Sequence, residues 1–148
     1  MRRGCSFETS PARARELVGA ARVFIDESVC IKGLRIYGSP WQPRFYDWAF
    51  NLDRGEPLRE KWARIPDDTD ILVTHGPPYG ILDRTSDGEH AGDEELRPVV
   101  DRIQPRLHAF GHIHPSYGEW RRDRTTFVNA AVCDESMGLA NEPVVVDV

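Results

Sequence analysis

Ile71-Leu72-Val73-Thr74-His75-Gly76-Pro77-Pro78 and Leu107-His108-Ala109-Phe110-Gly111-His112-Ile113-His114 are the stretches that decide how this sequence folds. Each opens as a short, largely apolar run and ends abruptly in glycine and histidine. Such a run is what a strand buried on both faces of a parallel sheet requires. Between the two lies a polar loop to about Gly92. Leu96, Val99, Val100 and Ile103 follow at helical spacing, with Pro98 starting or kinking that helix. Strand, loop, helix, strand is a βαβ unit, which sets its two strands parallel. The fold class is therefore α/β. In parallel sheets, ligand sites gather at the carboxyl ends of the strands, and both carboxyl ends here carry histidines.

Working outward, residues 23–25, 28–32 and 34–37 read as strands, the last pair joined by a tight turn at Lys32-Gly33. Gly38-Ser39-Pro40-Trp41 ends that run, and an aromatic-rich segment follows with Trp41, Phe45, Tyr46, Trp48 and Phe50. Leu58, Trp62 and Ile65 fit a helix that Pro66 closes. Nearer the start, Ser10-Pro11 reads as an N-cap with proline at the first helical position, and Ala14, Leu17, Val18 and Ala21 keep helical spacing behind it. Beyond the second histidine motif, Trp120 lies in an extended stretch, Thr125–Asn129 is a strand, and residues 144–148 read as a last one. No internal repeat or low-complexity linker interrupts the pattern.

Bulk properties set the outer bounds. The 148 residues suit one domain or a large piece of one, and 40 % hydrophobic with 29 % charged residues is too apolar for a disordered chain. No apolar run is long enough to span a bilayer. Met1-Arg2-Arg3-Gly4-Cys5 lacks the apolar core of a secretory signal. The formal net charge of −5 excludes a bulk basic surface for nucleic-acid backbones. A phosphate ester would then need local positive charge, and a metal centre is the obvious source. Cys5, Cys30 and Cys133 are odd in number and far apart, so they form neither a disulfide framework nor a zinc-finger spacing. A reducing cytoplasm is the default expectation.

Among the five histidines, three sit at the strand ends. Side chains two apart in an extended segment point the same way, so His112 and His114 can face one site. Gly76 and Gly111 allow sharp turns and close approach to a bound group. Neutral imidazole is a good ligand for zinc, iron and manganese. His112 and His114 with His75 on the neighbouring strand make a metal half-site, and the three are expected to converge within a few ångström. A His-x-His pair alone has a plainer reading as surface or hydrogen-bonded core histidines. For His108, inside the strand, a core or edge role is expected, and for His90 in its polar loop, a solvated one.

These residues resemble a known family. Val73-Thr74-His75-Gly76-Pro77-Pro78 and Phe110-Gly111-His112-Ile113-His114 resemble the last two metal motifs of the calcineurin-like metallophosphoesterases. Leu34-Arg35-Ile36-Tyr37-Gly38-Ser39-Pro40-Trp41, Asn51-Leu52 and Thr126-Phe127-Val128-Asn129-Ala130 are similar to the subgroup of metallophosphoesterase-domain-containing proteins, so the resemblance runs from Ser6 onward. It implies a two-sheet α/β/β/α sandwich, of which this chain would be a partial domain over 1–148 supplying the later strands. It implies a two-metal centre of manganese, iron or zinc, with His75 and His112 on one ion and His114 on the other. It implies hydrolysis of a small phosphoester, with phosphodiesters or nucleotides as substrates, by a water-derived nucleophile attacking in line.

The departure matters as much as the match. The family's other ligands come from Asp-x-His, a bridging Asp after Gly, and Gly-Asn-His; none of the three precedes His75. The chain is thus expected to start inside the domain, with one ion or none tightly bound. Three neutral imidazoles do nothing to offset the repulsion of two divalent cations. Asp87, Glu89, Asp134 and Glu135 read as solvated loop carboxylates, and the Pro77-Pro78 and Pro40-Trp41 loops either shape the pocket or stiffen it. The rival to a hydrolase is a non-catalytic remnant, acting as a weak metal-binding or interaction module.

Overall fold

The computed structural model describes residues 16–148. Residues 16–18 are helical; the expected cap at Ser10-Pro11, with Ala14 and Cys5, lies outside the described residues. The elements in chain order are β1 (Glu27–Ile31), β2 (Leu34–Ser39), β3 (Gln42–Pro43), β4 (Asn51–Leu52), α1 (Glu56–Trp62), β5 (Ile71–Thr74), α2 (Leu96–Ile103), β6 (Leu107–Phe110), a 3₁₀ turn (His114–Ser116), β7 (Gly118–Arg122) and β8 (Thr125–Asn129).

Six strands form one mixed sheet in the order β1-β2-β5-β6-β8-β7. β2, β5, β6 and β8 run parallel, and the two edge strands are antiparallel to their neighbours. The β1–β2 hairpin turns on Lys32 and Gly33, both with positive φ (49° and 82°), the conformation that matches the twist of a tight hairpin. Pro98 is the third residue of α2, where its missing N–H would have no helical partner, so it starts the helix without kinking it. Gln104 then ends the helix in the left-handed region (φ 49°), its N–H returning to the Val100 carbonyl.

Both helices pack on the same face of the sheet. The register aligns Tyr37, Leu72, His108 and Phe127 across the four parallel strands, and all four are buried. Leu58 and Trp62 of α1 and Leu96, Val100 and Ile103 of α2 close over that row, with Ile65, Ile81 and Phe110. The alternate positions form the other face: Ile36, Ile71 and Leu107, then Gly38, Val73 and Ala109. There Val73 is 42 % exposed. The expectation that β5 is buried on both faces is therefore corrected. Among the described residues, its second face is apolar and only partly covered, because α1 and α2 pack on the first.

Two further expectations fail. Residues 23–25 form no strand. Phe24 instead lies over Gly38, where any Cβ would collide with its side chain. Residues 144–148 form no strand either, and Val145 is 89 % exposed.

Candidate functional site

Because β2, β5, β6 and β8 are parallel, Ser39, Thr74, Phe110 and Asn129 end on one edge of the sheet. The loops that follow carry His75, His112 and His114. Gly111 N–H donates to the His75 carbonyl at 3.0 Å, which ties the first histidine loop to the second. The His75 and His112 rings lie with centroids 4.7 Å apart. A Cβ at Gly76 would meet the His112 ring only at an ordinary contact distance of 3.9 Å, so the close approach expected of this glycine is not what brings the rings together.

His112 reaches this position through an unusual backbone. Its φ is +71°, and Ile113 N–H donates to the Gly111 carbonyl at 2.9 Å. This is a three-residue turn with a positive central φ, a strained conformation for a residue with a Cβ. His114 then opens a 3₁₀ turn. The strand rule that would aim His112 and His114 the same way therefore does not apply, because the extended segment stops at Phe110. Among the described residues, no three His, Cys, Asp or Glu side chains are grouped so as to hold an ion. The convergence expected of three histidines is seen for two.

The electrostatics suit neutral imidazoles. Burial pushes the His112 ring down to about 4, with the nearby charges of His75 and His114 acting in the same direction. Partial burial also lowers His75. His114 Nδ1 lies 2.8 Å from the Asp134 carbonyl. A carbonyl can only accept, so Nδ1 carries a proton, and Nε2 is the ring nitrogen left to face an ion. Fixing one ring nitrogen in this way is how a protein selects the tautomer of a ligating histidine.

Sequence reading assigned no role to several residues that build this edge. A cleft of about 350 Å³ opens beside His112 and His114, walled by Phe45, Tyr46, Trp48 and Met137. The Phe45 ring stands edge-to-face with His112 at 4.9 Å. The short β3–β4 pair clips the ends of this aromatic loop together. Asn51 staples it, accepting from Phe45 N–H and donating to the Phe45 and Tyr46 carbonyls. The density of aromatic residues between Trp41 and Phe50 was the available signal. Asn129, fully buried at the end of β8, donates to the Ile113 and Leu82 carbonyls at 2.8 and 3.1 Å and so braces the second histidine loop.

The loop carboxylates have structural work. Asp134 caps its own loop through Ser136 and Gly138, and Glu135 accepts from Ser86 at the cleft wall. His90 is half-buried rather than solvated. Its Nδ1 meets the buried Asp83 at 2.7 Å, and Asp83 also accepts from the N–H groups of Gly80 and Gly92. Asp93 receives the Trp62 indole N–H at 2.7 Å and the Glu95 N–H at 2.8 Å, which links α1 to the start of α2.

The chain is similar to known proteins over most of its length. The family model of the calcineurin-like phosphoesterases matches residues 7–116. Metallophosphoesterase domain-containing protein 1 of Homo sapiens is 52 % identical over 124 residues, covering 82 % of this chain and 38 % of that protein; its Mus musculus counterpart gives the same figures. A UPF0046 protein of Caenorhabditis elegans is 43 % identical over 136 residues, 91 % of this chain and 34 % of the relative. The chain thus spans little more than a third of the length of these relatives. A solved crystal structure superposes with a TM-score of 0.60 at 20 % identity, covering 81 % of this chain and 51 % of the other, which supports the α/β fold. A family model that covers most of the chain, with relatives this similar, leaves one conclusion: the chain belongs to the calcineurin-like phosphoesterase family.

Proposed function

We propose that this chain carries the histidine half of a metal-dependent phosphoester hydrolase site, as a partial domain over residues 1–148. The observation that carries the reading is the pair His75 and His112, at the ends of adjacent parallel strands with ring centroids 4.7 Å apart, beside an aromatic cleft. Both rings are biased toward the neutral, ligating form. His114, whose Nδ1 donates to the Asp134 carbonyl and leaves Nε2 for an ion, is the third ligand of the proposal. Divalent manganese, iron or zinc in such a site supplies Lewis-acid charge to a phosphoryl group and lowers the pKa of water.

The residues fit half of that centre. Two neutral imidazoles, with a third set apart, leave a divalent ion short of donors and supply no negative charge. The rest of the ligand set belongs, in this proposal, to the Asp-x-His, bridging Asp and Gly-Asn-His segments of a longer protein. This chain alone holds one ion or none tightly, and no hydrolytic step is assigned to it in isolation. The second reading, a non-catalytic remnant or interaction module, draws its support from the same lack of a three-donor group among the described residues.

The substrate class is a small phosphodiester or nucleotide. The exposed rings of Phe45, Tyr46 and Trp48 beside His112 favour a flat aromatic group next to the phosphate, since such faces stack well. The setting is cytoplasmic, in keeping with Cys30 and Cys133 as free thiols. Among the described residues, no helix is long and apolar enough to cross a membrane.

The test is hydrolysis of bis-p-nitrophenyl phosphate with added Mn²⁺. The chain alone should be nearly inactive. A longer protein that adds the three carboxylate and histidine motifs should be active, and His112→Ala in it should lower kcat by about 10²-fold or more. Turnover by the chain alone that survives His112→Ala places the chemistry elsewhere. An inactive longer protein leaves the remnant reading.

A further inference from the structure

Beneath the histidine loops runs a short polar chain that the site does not use directly. His108, on the covered face of β6, is fully buried, with its ring against Phe110 at 4.9 Å and Phe127 at 5.9 Å. Thr74 Oγ1 has a single proton and gives it to the Gly76 carbonyl at 2.7 Å. The 2.9 Å contact between Thr74 Oγ1 and His108 Nε2 must then run the other way, with Nε2–H donating to the hydroxyl. His108 Nδ1 is left as a buried acceptor with no partner.

That orphan atom asks for an explanation, because an unpaired buried nitrogen is unfavourable compared with an apolar ring of similar shape. Phenylalanine would fill the same aromatic surroundings without the penalty. What histidine supplies and phenylalanine cannot is the proton on Nε2. Its direction is set: His108 orients the Thr74 hydroxyl, and the hydroxyl holds the Gly76 carbonyl. The preceding carbonyl, of His75, is held by Gly111 N–H. Two consecutive carbonyls at the turn that presents His75 are thus pinned, one from the core and one from the His112 loop.

We propose that His108 is a positioning residue. Through Thr74 it locks the turn at His75-Gly76 and so fixes the His75 ring against that of His112. The inference concerns the backbone order of this edge; it rests on the proposed function only where His75 is taken as an ion ligand.

The experiment measures amide hydrogen exchange by NMR on the full chain, as wild type, His108→Phe, His108→Gln and Thr74→Val. Exchange of the Gly111 amide should speed up by about tenfold or more in His108→Phe and Thr74→Val, roughly the worth of one net hydrogen bond. Amides of the distant β1–β2 ladder should keep their rates, and the thermal midpoint of His108→Phe should not fall. The glutamine side chain of His108→Gln can place an amide nitrogen where Nε2 stood, so that variant should keep the protection at Gly111. An unchanged Gly111 amide in both disrupting variants overturns the proposal, as does a uniform loss of protection across the sheet. Should His108→Phe fail to fold, Thr74→Val, nearly the same in shape, carries the test. Zinc titration of the same proteins separates the two readings. Weaker zinc binding in the variants supports both. Lost protection at Gly111 with zinc binding undiminished in the variants upholds the relay and removes His75 as a ligand that the relay positions.

Discussion

His112 is held at φ +71° by a three-residue turn, a conformation unfavourable for every side chain with a Cβ. The strain is the counterpart of its placement: an extended continuation of β6 would carry the ring along the sheet, whereas the turn sets it against His75. Glycine relieves such strain and alanine does not, so His112→Gly should be more stable than His112→Ala by about 1 kcal/mol in urea unfolding. Equal midpoints for the two would mean that the turn relaxes once the imidazole is gone. The sequence carries no sign of this strain. Gly111 signals a sharp turn, but nothing in histidine itself announces a left-handed backbone, and the alternation rule assumes a strand that has already ended. Burial adds a pH signature. The folded pKa of His112 is about 4 and that of His108 about 3, both depressed by desolvation, against about 6.5 in an unfolded chain. Below that value the unfolded chain takes up protons that the native rings refuse. Stability should therefore be level above about pH 6.5 and fall progressively toward pH 4 and below. Urea midpoints across that range check the slope, and His108→Phe should flatten it.

β5, β6, α2 and β8 are where sequence and structure agree best, and the reason lies in their local chemistry. Ile71–Thr74 and Leu107–Phe110 are short apolar runs closed by glycine-containing turns, and Leu96, Val99, Val100 and Ile103 trace one stripe of a helix. Those signals are carried by the residues themselves, so they survive without tertiary context. The failures are the segments whose state depends on what lies beside them. Residues 23–25 are as apolar as a strand, yet Phe24 fills the space over Gly38 instead. The terminal valines lack a neighbouring strand among the described residues. The two-residue β3–β4 pair carries no periodicity at all; it exists because Asn51 and the ladder around it close the aromatic loop. A continuous apolar run also hides which face is covered. Leu72 is fully buried under α1 and α2, while Val73 next to it is 42 % exposed. Leu72→Ala should cost about 2–5 kcal/mol. Val73→Ala should cost less than about 1 kcal/mol. Comparable losses at both positions would mean that something covers the second face in solution.

At the scale of the molecule, that second face is the feature that most shapes behaviour. Ile36, Ile71, Leu107, Val73 and Ala109 lie together on it beside Gly38, which Phe24 buries, and among the described residues α1 and α2 pack on the other side. The histidine edge sits at the boundary of the two faces: Thr74, just before His75, is buried on the helix side, while His75 itself borders a shallow depression lined by Phe24, Ile36 and Val73. Apolar surface of this extent on a native chain gives a measurable signal, since hydrophobic dyes bind exposed clusters and ignore scattered single residues. The isolated chain at neutral pH should therefore enhance anilinonaphthalene sulfonate fluorescence while keeping a cooperative thermal transition, which distinguishes an open native face from a molten state. Val73→Lys should weaken the dye signal without lowering the transition by more than a few degrees, because the substitution places charge where solvent already reaches. Leu72→Lys should abolish folding, because it places charge in the core. Dye binding that is absent from the wild-type chain, or insensitive to Val73→Lys, would show that this face is closed. The rim on which His75 stands would then be shaped by whatever closes it, and no longer by β5 and β6 alone.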